Sequence, residues 1–210
     1  MPNRKQSTKT HTYIIFYKPY GVLSQFTDSA GRKTLSDFGP FPKNVYPVGR
    51  LDADSEGLLL LTDDTNAKHH LLEPSFDHTR TYLVQVERIP IREQLARLES
   101  GVVIEGKKTK AAAVLKLEQD PRVPPREVPI RFRKNVATSW LEITLTEGRN
   151  RQIRKMTAAV GHPTLRLLRV AQEGLTLAGL QPGEHRTLTE AEVSLLLHSL
   201  EVRDTPSSHT

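Results

Sequence analysis

The sequence contains no cysteine, few aromatic residues and no long apolar run. Without cysteine, the chain has no disulfide bridges, no thiolate-bound zinc or iron–sulfur sites and no cysteine nucleophile. Its longest run of leucines, residues 58–61, is far shorter than the roughly 18 apolar residues that cross a membrane, so we expect no membrane partner. Residues 1–12 are polar and basic and lack the apolar segment of a secretory signal. They are expected to form a flexible tail of a cytoplasmic protein.

Metal-ligand patterns are also missing. The eight histidines show no HxH, HExxH or similar spacing. His69 and His70 are adjacent, and on a helix their side chains would point about 100° apart. The sequence therefore predicts no metal site.

Acidic residues are scarce in one part of the chain, where the positive charge is concentrated. The whole chain has a formal charge of +6, whereas residues 122–169 hold eleven basic and three acidic residues, a net charge of +8. Most of these cations are arginines, which form forked hydrogen bonds to phosphate and stack on bases. This concentration favours a nucleic-acid partner. Aromatic residues make up only 6% of the chain, which argues against a protein that binds single strands mainly by stacking.

The order of elements predicts an α+β fold with a largely antiparallel sheet. Hydrophobic periodicity and turn residues predict strands at 12–17, 45–48, 57–62, 81–87, 102–105, 110–118, 139–146 and 164–170. Helices are predicted at 63–72, 91–100, 150–160 and 189–200, with a short helical turn at 34–38. The last helix opens with a capping box formed by Thr189 and Glu192.

A proline-rich and basic segment at about 119–137 interrupts this pattern. It has four prolines within residues 121–129, and proline lacks the N–H that a central strand must donate. We therefore expect an excursion or flap that lies against RNA. The remainder of 13–203 is predicted to be one domain, followed by a second flexible tail at 204–210.

The loop at residues 49–57, GRLDADSEG, carries three carboxylates and an arginine between two apolar strands. A polar loop with solvated acids is one interpretation. Rigid flanking strands favour a functional site instead, because sites are often built on loops that a scaffold holds in place.

Residues 147–156, EGRNRQIRKM, predict a helix that begins at an Asn150 cap. Arg151, Arg154 and Lys155 would share one face, while Ile153 and Met156 would point to the core. Arginine beside a carboxylate favours the ionised form that a nucleophile needs. Paired carboxylates are also typical of glycosidases. Clusters of acidic residues are typical of metal-dependent nucleases. The residues alone leave these alternatives open.

Four segments, an opening and three motifs in order, resemble those of the bacterial ribosomal pseudouridine synthases of the A-type, small-subunit group and their relatives. FYKPYG at residues 16–21 resembles the FxKPxG opening of that family. GRLDADSEGLLLLTDD resembles its catalytic motif, TYLVQV its second motif, and EGRNRQIRKMTAAVGHPTLRLLR its third. The match runs from about residue 13 to residue 189. It implies the pseudouridine synthase catalytic fold, a mixed sheet with flanking helices and two sub-lobes around a central cleft. Many relatives carry an N-terminal RNA-binding module of the S4 type, which we do not expect before residue 13.

The resemblance also implies residue roles. Asp52 would be the essential carboxylate that attacks the sugar or removes a sugar proton, and Arg154 would be its salt-bridge partner. Tyr82 would stack on the uracil or assist proton removal. Ile153 and Leu168 would form apolar walls of the base pocket, and Arg50 would fill the gap left by the extruded base. The residues expected to contact RNA are Arg50, Lys18, Arg149, Arg151, Lys155 and Arg169.

The implied activity is isomerisation of a specific rRNA uridine to pseudouridine, without a cofactor or metal ion. Similarity to large-subunit enzymes of the family implies a substrate in 23S rRNA near the peptidyl-transferase region, met either as free RNA or within a large subunit during assembly. A non-catalytic RNA-binding module for ribosome assembly on the same fold is the alternative. The chain is expected to be a monomer, because no long amphipathic seam is left over.

Overall fold

The structure, a computed structural model, describes residues 10–130, 136–177 and 179–204, with side chains described as far as residue 201. Within these ranges the helices are α1 (Thr65–Leu72), α2 (Arg92–Glu99), α3 (Gln152–Ala159) and α4 (Glu190–Asp204), with single 3-10 turns at Leu35–Phe38 and Pro74–Phe76. The strands are β1 (Tyr13–Lys18), β2 (Tyr46–Pro47), β3 (Glu56–Thr62), β4 (Arg80–Glu87), β5 (Val103–Ile104), β6 (Lys107–Lys108), β7 (Ala113–Lys116), β8 (Thr138–Leu145), β9 (Thr164–Gln172), β10 (Leu175–Thr176) and β11 (His185–Thr187). None of the helices in the described ranges is both long enough and apolar enough to cross a membrane.

One mixed sheet organises the molecule, in the order β11-β1-β3-β9-β4-β8-β7, with β2 added to β3 and β10 to β9. Its pairings are antiparallel except for that of β3 with β9, which is parallel. The parallel pairing joins Glu56 to Leu168 and Gly57 to Arg169. We call this short pairing the seam. It divides the sheet into two halves, and the predicted α+β class and largely antiparallel sheet are confirmed.

Gly57 allows the two strands to meet at the seam. Its φ is +108°, a conformation that residues with a side chain rarely adopt. A Cβ at this position would also collide with the backbone of Arg169. The close approach of β3 and β9 therefore requires glycine here.

Apolar clusters cover the two halves of the sheet, and Leu175 of β10 joins the core of the β3 half. β3 is buried along its whole length, as expected for a continuous apolar run with both faces covered. One face packs against α1 and α4 through Leu71 and Leu196, and the other against Phe16 and Leu35. Beyond the seam, a third cluster joins α2 and α3 to β4 and β8.

Several predicted boundaries shift. α3 begins at Gln152, because Arg151 and not Asn150 is the N-cap, with a left-handed φ of 50°. The strand predicted at 110–118 is shorter in the structure, where β7 spans Ala113–Lys116. The capping box of α4 is confirmed: the Thr189 N–H donates to Glu192 Oε2 at 2.8 Å, and the Glu192 N–H donates to Thr189 Oγ1 at 3.3 Å.

The described part of the proline-rich insert, residues 119–130, has no helix or strand. It is nevertheless attached to the domain. Pro124 accepts a hydrogen bond from Arg166 Nη2 at 2.9 Å, and the guanidinium of Arg126 lies 4.1 Å from the ring centroid of Tyr20. Residues 131–135 of the predicted flap, and residues 1–9 and 205–210 of the predicted tails, lie outside the described residues. Thr12, at the end of the predicted N-terminal tail, donates its N–H to Asp63 at 2.8 Å.

Candidate active site

The acidic loop, residues 49–55, is held rigidly between β2 and β3. The Ser24 hydroxyl accepts a hydrogen bond from the N–H of Leu51 at 3.0 Å and donates to its carbonyl at 2.8 Å. The Ala53 carbonyl accepts from the N–H of Gly21 at 2.7 Å, which joins the loop to the KPYG turn. The Asp52 carboxylate therefore stands on a fixed backbone, and its side chain is 42% exposed.

Lys18 supports the KPYG turn from inside the protein. Its side chain is fully buried, and its Nζ donates to the carbonyls of Val22 at 2.7 Å and Pro19 at 3.0 Å. Burial lowers its pKa to about 8, although the nearby carboxylates, above all that of Glu56, act in the opposite direction. The prediction that Lys18 contacts RNA is wrong for this structure, because its ammonium group is enclosed and already bonded to the backbone.

Two arginines of the α3 segment converge on the acidic loop. Arg151 forms a forked pair with Asp54, at 3.0 and 2.8 Å, and its Nη1 also lies 3.3 Å from Asp52 Oδ2. Arg154 donates from Nη2 to the backbone carbonyl of Asp54 at 2.6 Å, and its Nε lies 3.4 Å from the Asp54 carboxylate. The predicted Arg154–Asp52 salt bridge is therefore wrong. Arg151, the N-cap of α3, is the arginine that reaches Asp52, and Arg154 binds the loop through Asp54.

These charges keep Asp54 ionised. Partial burial, the largest single influence, acts to raise its pKa, but the hydrogen bond from Arg151 and the charges of both arginines outweigh it and lower the pKa. Arg154 is largely enclosed, and burial lowers its own pKa. The two arginines thus add positive charge near the exposed Asp52 carboxylate, and Arg151 is in direct contact with it.

A cavity of about 510 Å³ opens beside Asp52. Tyr82, from the middle of β4, lies on its wall, and Ile153 contributes from the first turn of α3. Its remaining lining residues are Leu23, Ser24, Arg50, Leu51, Ala53, Ser55, Leu145, Glu147, Gly148, Arg149, Asn150, Arg151, Gln152 and Leu167. The acidic loop comes from one half of the sheet, and Tyr82 and Ile153 from the other. The fold therefore assembles carboxylate, aromatic ring and apolar wall across the seam.

Comparison with known proteins identifies this architecture. The sequence model of the family described as RNA pseudouridylate synthase matches residues 12–159, from β1 to the end of α3. The chain belongs to this family.

Similar proteins are named as pseudouridine synthases of the large ribosomal subunit. The synthase is 52% identical to the ribosomal large subunit pseudouridine synthase E of Xanthomonas campestris, over 82% of this chain and 93% of that protein. It is 40% identical to the ribosomal large subunit pseudouridine synthase B of Bacillus subtilis, over 88% of this chain and 70% of that protein. These names support the predicted family but not the A-type, small-subunit group within it.

A solved structure supports the fold. The synthase superposes on a crystal structure of a pseudouridylate synthase with a TM-score of 0.74 at 27% identity, over 89% of this chain and 74% of that one. The predicted pseudouridine synthase fold is confirmed.

One predicted wall of the synthase cavity is displaced by a residue. Leu168 is buried in β9 but does not line the cavity, whereas its neighbour Leu167 does. Successive side chains in a strand point to opposite faces, so an error of one position exchanges the two faces. The prediction of Leu168 is therefore wrong, and that of Ile153 agrees with its place in the lining.

The remaining predicted RNA-contact residues lie in three places. Arg50 and Arg149 line the cavity, and Lys155 lies outside it, where its Nζ is 2.7 Å from Glu105. Arg169 is 3% exposed beside its cross-strand neighbour Tyr82, and its Nε donates to the Leu58 carbonyl at 2.7 Å. Arg169 is thus an internal residue of the seam, and the prediction that it contacts RNA is wrong for this structure.

Two polar residues that support the site, Gln152 and Ser24, were not predicted. Gln152 donates to Glu147 at 2.6 Å and accepts from the N–H of Arg149 at 3.0 Å, which shapes the turn before α3. Arg149 then donates to the carbonyls of Ile104 and Lys107 and fixes the β5–β6 hairpin at the cavity edge. The sequence signal for Gln152 was its place next to Arg151. Nothing in the sequence near Ser24 indicated that its hydroxyl would bind the backbone of Leu51. In the described part of the chain, no group of three His, Asp or Glu side chains is arranged to hold a metal ion.

Proposed function

We propose that the synthase converts one uridine of 23S rRNA, in the peptidyl-transferase region, to pseudouridine and that Asp52 is its essential carboxylate. The observation that carries the proposal is the position of Asp52. It is the carboxylate of the acidic loop that both lines the cavity and is exposed at its mouth, with Arg151 at 3.3 Å. The names of the relatives support the choice of large-subunit RNA.

The reaction needs no oxidant or co-reactant, because uridine and pseudouridine are isomers. The bond between N1 of the uracil and C1′ of the ribose breaks, a bond between C5 and C1′ forms, and C5 loses a proton while N1 gains one. A carboxylate at the position of Asp52 can attack the sugar or remove a sugar proton, and either route divides one difficult cleavage into easier steps. Tyr82 on the facing wall offers a ring face for the uracil and a hydroxyl for proton transfer.

Access to the sugar requires a flipped-out nucleotide, since C1′ is shielded in stacked or paired RNA. Flipping costs a few kcal/mol, which phosphate contacts offset. Arg50 is exposed, lines the cavity and donates to Gln25 at 3.4 Å, and we expect it to occupy the gap that the base leaves. Arg149 and Arg151 add positive charge to the cavity lining. An rRNA substrate also agrees with the cytoplasmic location expected from the sequence.

The deciding experiment is pseudouridine mapping of total rRNA, by carbodiimide labelling and primer extension, in cells with and without the gene. We expect one large-subunit site to disappear and to return with the wild-type gene but not with Asp52→Ala. Loss of a site in small-subunit or transfer RNA would retain the chemistry and contradict the substrate. An unchanged map, together with an inactive purified protein, would support the non-catalytic RNA-binding module.

A further inference from the structure

A second groove adjoins the cavity and plays no part in the chemistry proposed above. Its volume is about 720 Å³, and it lies between residues 24–27 on one side and Tyr46, Lys68 and Leu72 on the other. Ser24 and Arg50 line both the groove and the Asp52 cavity. The groove and the cavity therefore share a boundary, so that a nucleotide beside a uridine in the cavity lies next to the groove.

The charge of the groove has one sign. Its charged lining residues in the described part of the chain are Lys43, Arg50 and Lys68, and its lining includes no carboxylate. Lys43 and Arg50 are exposed. Since cations around a groove attract polyanions, this lining favours an anionic partner such as a nucleic acid over a basic or neutral surface.

The groove also exposes apolar surface that the fold leaves uncovered. The Tyr46 side chain is 56% exposed and that of Leu72 41% exposed. The ammonium of Lys68 lies 5.6 Å from the ring centroid of Tyr46, so a positive charge stands next to the aromatic face. A positively charged groove with an exposed aromatic ring is the combination that binds single-stranded nucleic acid, with bases stacked and phosphates paired.

The floor of the groove is shaped by Gly49. A Cβ at this position would lie 3.2 Å from Leu72 Cδ2, and the φ of Gly49 is +74°. Gly49 therefore lets the end of α1 pack close to the start of the acidic loop. This packing fixes the distance between the groove and Asp52.

We propose that this groove binds one nucleotide that neighbours the target uridine in the same RNA strand, with its base on Tyr46 and its phosphate near Lys43 and Lys68. The proposal rests on the proposed function for the identity of the RNA. It names a part of substrate recognition that lies outside the cavity. The volume of the groove, about 720 Å³, is within the usual range of about 300–1,000 Å³ for ligand sites.

The test measures RNA binding and turnover separately. Binding of transcribed 23S rRNA is measured for the wild type, Tyr46→Ala, Tyr46→Phe and Lys43→Ala/Lys68→Ala over a range of salt concentrations. We expect Tyr46→Ala to bind about tenfold more weakly and Tyr46→Phe to bind like the wild type, because the ring and not the hydroxyl is needed. The double lysine variant should lower the slope of log affinity against log salt by about 0.7 for each phosphate that is no longer neutralised.

Matched controls come from exposed residues that do not line the groove or the cavity. Arg97→Ala removes one exposed cation from α2, and Leu195→Ala removes an exposed apolar side chain from α4. Both should bind RNA like the wild type. Single-turnover rates at saturating RNA should be the same for Tyr46→Ala and the wild type, since the cavity is unchanged.

A modified RNA tests the groove without altering the protein. A 23S fragment that lacks the base next to the target uridine, on one side or the other, should bind the wild type about tenfold more weakly and should cause no further loss in Tyr46→Ala. Equal affinities of Tyr46→Ala and the wild type for intact RNA would overturn the proposal. So would a lower single-turnover rate with unchanged affinity. RNA binding is measured independently of turnover. An inactive wild type would therefore contradict the proposed function, while the affinities of the wild type and Tyr46→Ala for RNA would still decide the role of the groove.

Discussion

The carboxylate of Glu56 accepts two hydrogen bonds from the guanidinium of Arg166, at 2.8 Å from Nε and 2.7 Å from Nη2, and both side chains are buried. The same Nη2 donates to the Pro124 carbonyl. One ion pair therefore connects β3, β9 and the proline-rich insert beside the seam.

Glu56→Gln should destabilise the synthase by about 3–5 kcal/mol, because the change leaves a buried guanidinium without its counter-charge. Urea unfolding at pH 7 measures this loss. If Glu56 were one of a catalytic pair of carboxylates, the folded variant would be inactive at low temperature. We expect the folded variant to retain its uridine-isomerising activity there. That result would contradict the interpretation of Glu56 as one of the paired carboxylates of a glycosidase.

The two aspartates of the acidic loop should respond differently to the same change. Asp52→Asn is expected to lower the single-turnover rate by about 10³-fold or more, because it removes the reacting carboxylate. Asp54→Asn should lower it by about tenfold, because Arg151 and Arg154 lose an anchor but Asp52 remains. RNA affinity should change little in the first variant. Equal losses of rate in the two variants would contradict the separate roles.

The buried Lys18 should make stability depend on pH in the alkaline range. Its pKa of about 8 lies below its ordinary value of 10.5, so between these values the unfolded chain binds more protons than the folded protein. Stability from this group therefore rises as the pH rises through that window. From pH 7.5 to 9.5, the unfolding free energy should gain about 1–2 kcal/mol relative to Lys18→Met, in which the group is absent. If the unfolding free energies of the wild type and Lys18→Met changed with pH in parallel, Lys18 would not be enclosed as described.

The start of α4 should be sensitive to acid. The hydrogen bonds from Arg186 lower the pKa of Glu192 to about 2, with Thr189 adding to the effect. Stability from this group is complete above its ordinary pKa of 4.5 and is lost as the pH falls through about 2. Glu192→Gln should cost about 1 kcal/mol at pH 6, and the difference from the wild type should shrink toward pH 2. Thermal unfolding across this range provides the measurement, and a constant difference would contradict the assignment.

Two glycines with positive φ provide a matched pair. Gly57→Ala should prevent folding or cost more than about 3 kcal/mol, because its Cβ would meet the Arg169 backbone. At Gly161, with φ +91°, nothing lies within 4 Å of an added Cβ, so Gly161→Ala should cost only about 1–2 kcal/mol from backbone strain. Chemical denaturation of the two variants compares them directly. Equal costs would show that the seam tolerates a wider separation.

The parts of the structure that local pattern controls could be predicted from the sequence. The leucine run predicted β3, and the Thr189–Glu192 spacing predicted the start of α4, because each signal lies within a few residues. The predictions were wrong where the outcome depends on the direction in which one residue points. Arg151 is left-handed and is the N-cap of α3, so that the helix starts one residue later, and the alternation of β9 exchanged Leu168 for Leu167. The contact of Arg154 with Asp54 instead of Asp52 is tertiary, and the spacing of the two motifs carries no signal for it. The burial of Lys18 depends on two carbonyls that the chain brings around it, and the composition of the KPYG segment carries no signal for that enclosure.

The shortness of the seam has a consequence for motion. Asp52 and Tyr82 stand on opposite halves of the sheet, and the backbone bonds that join those halves are those of two paired positions. A small rotation about the seam would change the width of the cavity, against the resistance of the Glu56–Arg166 ion pair and of Leu175, which packs from β10 into the core of the β3 half. RNA bound across the cavity would hold the halves together. The amides of residues 56–57 and 168–169 should then exchange with deuterated solvent more slowly in the RNA complex than in the free enzyme.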